Sequence, residues 1–392
     1  MSLLRVWPRA VLVLALLSVG WAQPGRADEW TSVFDEEGLL LRSGELQIDV
    51  GGRLQLDVLD ADSDLQHVGR RSGIRRAGVN VGVEWHRDYS LAASFAFESG
   101  GAALSGLSFN YDGLAPLRLK IGKLSGVVGM ERRAGSGDLP LMERALSTAL
   151  TSGSAWGASA GYAANGVSAE VAYFTERGEH DRARNGSPGR GWAVRAAYAT
   201  PADLAVRVHV GASAELRTPD RDLFRARQRP EADLVDARLL DSSLLRDAQG
   251  RRTVGAEAAV QAGPVTLQAE YLTSSVQRRV QHDAEFTGGY VQVGWVLTGQ
   301  QRRYRERAAT LGGVQPAGTA GEVELVARYG RLDLESGRVT GGEGTVASAG
   351  INWFASRNVA LSLMLGRADG QPNRVGVDER VKFVQARLQL KL

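Results

Sequence analysis

The chain has 392 residues, 43% hydrophobic and 23% charged, with 48 Gly, 11 Pro and no Cys. Disulfide frameworks, thiolate zinc sites, iron–sulfur clusters and cysteine nucleophiles are thereby excluded, and the hydrophobic content excludes a disordered chain. The formal charge of +3 invites a nucleic-acid or anion-binding reading, but its surplus sits in the first 27 residues.

Met1 to Ala27 reads as a cleaved secretory signal: Arg5 and Arg9 form a basic start, Ala10 to Gly20 is apolar, and small-residue cleavage sites end at Ala22 or Ala27. Removing Arg5, Arg9 and Arg26 leaves 44 basic against 44 acidic residues, so net charge argues for no nucleic-acid partner. Residues 28–44 read as a short periplasmic N-terminal segment, and 45–392 as the folded body. No run of 18 apolar residues follows the leader, so a membrane could be crossed only by strands.

From Leu46 to Val58 the even positions are apolar or Gly and the odd ones polar or Gly. About 9 to 11 such residues suffice for a tilted strand with one face on lipid and one on water. Runs of the same kind follow at about 79–85, 91–98, 104–112, 117–123, 155–163, 166–174, 191–199 and 203–214. Seven more lie at about 253–262, 265–272, 289–298, 322–332, 345–354, 358–366 and 379–392, which makes 16 strands. The expected fold is all-β: a 16-stranded antiparallel transmembrane β-barrel with an inward-folded constriction loop.

Connection lengths alternate as outer-membrane barrels require, with short turns at one rim and longer loops at the other. His86-Arg87-Asp88, Gly113-Leu114-Ala115-Pro116, Ala164-Asn165, Thr200-Pro201-Ala202, Gly263-Pro264 and Ala355-Ser356-Arg357 are the tight turns, whereas 124–154, 175–190, 215–252 and 273–288 are long and aperiodic. Two connections break the alternation: 299–321, Arg-rich and too long for a turn, and 99–103, unusually short. Trp85, Tyr111, Tyr162, Tyr198 and Trp353 lie near the short turns in the outward phase, as an interfacial girdle does. Sixteen strands enclose a lumen too wide for side chains to fill. With about 17 residues before the first strand there is no globular plug, so the interior reads as a diffusion channel narrowed by 124–154.

The residues also resemble a known family, the phosphate-selective porins O and P. The resemblance rests on Val50-Gly51-Gly52-Arg53-Leu54-Gln55-Leu56-Asp57, Ile74-Arg75-Arg76-Ala77, Gly122-Lys123-Leu124 with Gly129-Met130-Glu131, and Leu139-Pro140-Leu141-Met142-Glu143-Arg144. It continues in Tyr290-Val291-Gln292, Leu297-Thr298-Gly299, Ala327 to Leu334, and Gly350-Ile351-Asn352-Trp353-Phe354 with Asn358-Val359. It implies a homotrimeric outer-membrane porin whose third outer loop narrows the lumen and whose inward Arg and Lys residues favour anions such as phosphate. Outer-membrane lipids and lipopolysaccharide would surround it. This chain departs from the family pattern where selectivity would be set: Ser125 stands at a Lys position, Gly78 replaces a basic residue, and only four Lys remain, Lys120, Lys123, Lys382 and Lys391.

Counting the inward phase gives nearly balanced signs. Arg53, Arg76, Arg118, Lys120, Arg195, Arg207, Arg328, Arg387 and Lys391 face Asp49, Asp57, Glu84, Glu98, Glu170, Glu257, Glu270 and Glu324. The candidate pore-lining and anion-binding residues are therefore Arg53, Arg76, Arg118, Lys120, Arg195 and Arg207 on strands, with Arg132, Arg133 and Arg144 in the constriction loop. A guanidinium fork suits phosphate oxygens, and the balance predicts modest anion preference. A general weakly selective pore, or a structural barrel with a blocked lumen, are the alternatives.

Chemical motifs are sparse. Gly157-Ala158-Ser159-Ala160-Gly161 matches a nucleophile-elbow pattern, but Ser159 falls mid-strand where no sharp turn can expose it. His209 is inward on the ninth strand with no carboxylate at strand spacing to orient it. Metal-ligand spacings and phosphate-cradling loops are absent, so neither enzyme activity nor a cofactor is expected.

Overall fold

The structure, a computed structural model, describes residues 30–35, 38–65, 67–98, 101–175 and 187–392. The leader expected at 1–27, with both cleavage positions, lies outside the described residues. Two short strands come first, β1 (Thr31–Asp35) and β2 (Gly38–Ser43). The first staves of the barrel are β3 (Leu46–Ser63), β4 (Gly69–Trp85), β5 (Tyr89–Glu98), β6 (Gly101–Leu114), β7 (Leu117–Leu124), β8 (Ala155–Ala164) and β9 (Val167–Phe174). After β10 (Ser187–Ala199) and β11 (Val206–Asp220), an outer loop carries a small pair, β12 (Arg227–Gln228) and β13 (Leu240–Asp241). The wall resumes with β14 (Ala248–Ala262), β15 (Val265–Arg278) and β16 (Ala284–Val296), and an inner connection then holds β17 (Arg302–Arg305) and β18 (Thr310–Val314). It finishes with β19 (Glu322–Ser336), β20 (Val339–Phe354), β21 (Val359–Gly370) and β22 (Glu379–Lys391).

Sixteen of these strands form a closed antiparallel barrel. Each pairs with its neighbour in the chain order of the wall, and β22 returns to β3 in a ladder from Val381↔Ser63 to Lys391↔Arg53. Closure leaves no free edge in the hydrocarbon, where an unpaired amide would cost several kcal/mol, about the water-to-hydrocarbon penalty. The predicted alternation is met along the wall: Val58, Ile121, Val210, Val291, Leu363 and Val384 stand outward and exposed. Trp85, Tyr89 and Tyr111 form an aromatic row near one short turn, with ring centroids 5.6 and 5.0 Å apart.

The ends differ from the sequence reading. Residues 28–44 include β1 and β2, and β2 pairs with the start of β3 (Leu39↔Val50 to Ser43↔Leu46), below the last residue of β22. Several strands also extend further toward the long-loop rim than their periodicity predicts, β4 beginning at Gly69 and β16 at Ala284. At that rim several inward residues, Leu272, Phe286, Leu332 and Leu334 among them, are apolar, because loops cover them.

Three segments fold into the lumen. The third outer loop, 125–154, contains one helical turn (Met130–Arg133) and a 3-10 turn (Leu146–Leu150). Val128, Leu146 and Leu150 pack with Phe224, Leu239, Leu240 and Leu245 of loop 221–247 against inward Leu272, Phe286, Leu332 and Leu334 of the wall. Leu141 and Met142 meet Ala232 and Val235 over Leu59, Met364 and Phe383. From the opposite rim the long inner connection turns upward as the β17–β18 hairpin, and its Leu311 packs on Met130 and Ala259. The irregular length of 299–321 is thus a folded insert and leaves the strand count unchanged.

Loop 125–154 is also bolted by charge. Glu143 accepts two hydrogen bonds from Arg75, at 2.6 and 2.7 Å, and one from Arg387 at 3.0 Å, while Arg387 grips Asp57 at 2.7 Å. Burial pushes the Glu143 carboxyl up, but Arg75, with Arg387 and Arg76, outweighs it and holds the group down to about 2. The stabilisation is therefore present above the ordinary carboxyl value of 4.5 and is lost as pH falls through about 2. Thermal unfolding in detergent should show a steep loss of stability on that acid limb, and Glu143→Gln should flatten it; an unchanged limb in the variant would refute the assignment.

Candidate functional site

The inserts divide the lumen. Along the wall from β10 to β22 most inward groups are sealed, and among the described residues most of the charged ones are paired, while Glu270 accepts instead from Tyr290 Oη and the Glu131 amide, at 2.6 Å each. Arg328 (3% exposed) reaches Glu131, Glu231 at 3.3 Å and Gln292 at 2.7 Å. Arg302 holds Glu324 at 2.6 Å and donates to the carbonyls of Asp138 and Gly312 at 2.8 Å each. Arg251 and Arg217 both engage Glu215. On the side of β4 to β8 the inward wall carries small or polar residues, with Asn80, Glu84 and Ala92 exposed to the interior. The remaining water path runs there, between those strands and loop 125–154.

The candidate cations sort into open and closed sets. Arg76 and Lys120 are inward and only partly buried, and among the described residues neither has a carboxylate within ion-pair distance. Arg53 donates to Ser136 Oγ at 2.9 Å. Arg144 spends its guanidinium on the carbonyls of Glu131 and Ala134, at 3.1 and 2.7 Å. Arg118 and Arg133 line the path too, but paired: Arg118 Nε with Asp112 at 2.6 Å, and Arg133 with Glu170 at 2.7 Å. Arg132 is its neighbour in the same helical turn.

Arg195 and Arg207 face inward as the phase predicts, yet neither offers a free fork. Arg195 is 4% exposed; it binds Glu257 and donates to the carbonyls of Ala308 and Ala309 at 2.9 and 2.7 Å. Arg207 pairs with Glu306 at 2.6 Å and lies 4.5 Å over the Tyr304 ring. The β17–β18 hairpin supplies four of these partners, Tyr304, Glu306, Ala308 and Ala309, which is why strand phase alone could not reveal them. The expectation for His209 is likewise corrected: Glu257, on the neighbouring strand, stands 3.0 Å from its Nε2, and Tyr304 Oη 2.7 Å from Nδ1.

A cavity of about 550 Å³ opens at the short-turn end of the path, lined by Arg118, Lys120, Arg133 and Arg307 against Asp112 and Glu170. Four cations face two acids, so the cavity has a local positive excess although the chain as a whole is nearly neutral. Arg307, with Arg305 nearby, was missed by the sequence reading because loop residues carry no period. Their only signal was the basic run Arg302-Arg303-Tyr304-Arg305.

Comparison with known proteins agrees with this architecture. The chain is 25% identical to Porin O of Pseudomonas aeruginosa, over 88% of each chain. Among solved structures it superposes on the outer-membrane channel DcaP of Acinetobacter baumannii with a TM-score of 0.58, at 8% identity, covering 88% of this chain and 97% of that one. The anion-selective porin from Comamonas acidovorans gives 0.54 at 12% identity, covering 89% of this chain and all of that one. A family model described as "Phosphate-selective porin O and P" matches residues 48–392. Family and fold together point to the bacterial outer membrane. With the model spanning the whole barrel, the chain belongs to the phosphate-selective porin O and P family.

Proposed function

We propose that the protein is a passive diffusion channel for small solutes with a modest preference for anions such as phosphate. The observation that carries this reading is the one-sided lumen: the open path runs past Arg76 and Lys120, neither of which has a carboxylate within ion-pair distance among the described residues, while most other charges are paired and sealed. In a confined low-dielectric channel the local field governs which ion enters, and the net charge of the chain does not. The preference is modest because Arg118 and Arg133 already bind acids and Ser125 stands where the family has a Lys. The protein is read as reaching the outer membrane through its cleaved leader and as a homotrimer amid outer-membrane lipids and lipopolysaccharide. The trimer rests on family resemblance, and light scattering of the detergent-extracted protein tests it.

A channel is favoured over an enzyme. Ser159 sits mid-strand on β8 at 8% exposure, without the elbow geometry, and His209, on β11, is engaged by Glu257 and Tyr304.

Reversal potentials in a planar bilayer under a KCl gradient should be anion-directed. The double variant Arg76→Gln/Lys120→Gln should lower the anion-to-cation permeability ratio at least twofold with little change in conductance. Cation-directed potentials in the unmodified protein would refute the reading.

A further inference from the structure

At the tip of loop 125–154 the chain presents one carboxylate to a group of cations from three other elements. Asp138 Oδ2 is 2.6 Å from Arg305 of the β17–β18 hairpin, and Oδ1 is 3.8 Å from Lys391 Nζ of β22. Arg53 of β3 lies against the same tip: its guanidinium carbon is 2.7 Å from where a Cβ on Gly137 would stand, and its buried Nε has no hydrogen-bond partner. The approach is made possible by glycines, since a Cβ at Gly135 or Gly313 would stand within 3.1 Å of the Asp138 carboxylate. The cluster still opens on water, with Arg305 53% and Lys391 30% exposed. Three cations thus gather around one acid at the loop tip.

A carboxylate on a short loop is chemically the same kind of ligand as a solute oxyanion: two oxygens, a delocalised charge, and geometry suited to a guanidinium fork. Because it is tethered, its effective concentration at the cluster exceeds that of a dilute solute. We propose that Asp138 is a built-in competitor, occupying an anion station formed by Arg53, Arg305 and Lys391 and thereby setting how weakly the channel holds phosphate-class oxyanions. This inference rests on the reading of the lumen as an anion path, and it adds to the open cations a second group whose strength is masked by the chain itself.

The alternative role, a strut joining the loop to the hairpin, is separable. The Asp138 carbonyl accepts from Arg302 at 2.8 Å and survives any side-chain change. Asp138→Asn keeps the size and removes the charge, with Asp138→Ser as the second variant should Asn fail to assemble. The measurement is block of single-channel current by inorganic phosphate in a KCl bilayer, with reversal potentials, for the unmodified protein, the Asp138 variant, Arg305→Gln and the double variant. A masked station predicts that the Asp138 variant lowers the half-blocking phosphate concentration at least fivefold and shifts the potential toward anions. Arg305→Gln should abolish that gain in the double variant. Additive effects, or higher conductance without tighter block, would make Asp138 a strut and overturn the proposal. A cation-directed potential in the unmodified protein counts against the channel reading instead, and the Asp138 shift toward anions would then still report the masked cluster.

Discussion

Arg328→Met is expected to release both outer inserts from the wall, lowering stability and raising single-channel conductance severalfold. Arg328 joins loop 125–154, loop 221–247 and the barrel at their buried centre, as Arg75 of β4 does nearer the wall through Glu143 and Asp233. It engages Glu131 of the first, Glu231 of the second and Gln292 of β16, and donates to the Glu143 carbonyl at 3.0 Å. Glu131 and Glu231 are 2% and 3% exposed, so removing their shared cation leaves two carboxylates in a sealed, low-dielectric space. Breaking one partner out of such a pair costs about 3–5 kcal/mol, enough to favour loop release in a marginally stable protein. Once both loops leave, little narrows the mouth of a 16-stranded barrel.

The same cluster gives a pH dependence. Burial first, and then the neighbouring Glu131, push the Glu231 carboxyl up to about 7, with Arg328 and the Leu146 amide opposing. A raised carboxyl favours the docked state below its ordinary 4.5 and loses that contribution as pH rises through about 7. Loop 221–247 should therefore sit more firmly in mildly acidic solution, with open-channel noise growing on the alkaline side and Glu231→Gln removing the difference. In Arg328→Met, adding Glu231→Gln should recover part of the lost stability. Unchanged conductance and unfolding temperature in Arg328→Met would show that apolar packing alone holds the loops.

The wall was legible because each strand faces two solvents. Where one face meets lipid and the other water, as from Leu46 to Val58, alternation is strict and the strand can be read residue by residue. It fades where an insert covers the inner face: Phe286 stacks on Phe224 of loop 221–247, with ring centroids 6.1 Å apart, so its inward side meets no water and the alternation that marks a strand is lost there. The candidate cations on strands point inward, since phase determines direction. Which of them stay open was not legible, for the partners of Arg195 and Arg207 come from a hairpin about 100 residues away in sequence. The sequence flagged that hairpin only as a connection of the wrong length.

That hairpin bears the other large expected effect. Arg302→Ala should free the inner connection, widening the short-turn end of the path and raising conductance about two- to threefold. Arg302 is 3% exposed and makes two bonds to Glu324, one to the Asp138 carbonyl and one to Gly312, so it ties hairpin, loop tip and β19 together. Its loss leaves Glu324, fully buried, with only Asn352 at 2.9 Å among the described residues. Adding Glu324→Gln removes the stranded charge, which separates release of the hairpin from general destabilisation: conductance should stay high in the double variant while the unfolding temperature recovers. Because the chain has no Cys, Leu311→Cys gives a single reporter on the hairpin itself, at a position only 7% exposed where it packs on Met130 and Ala259. A polar maleimide should label it slowly in the otherwise unmodified protein and at least tenfold faster with Arg302→Ala. Equal labelling rates would mean that the packing of Leu311 on Met130 and Ala259, and the Arg195 bonds to Ala308 and Ala309, hold the hairpin without the ion pair.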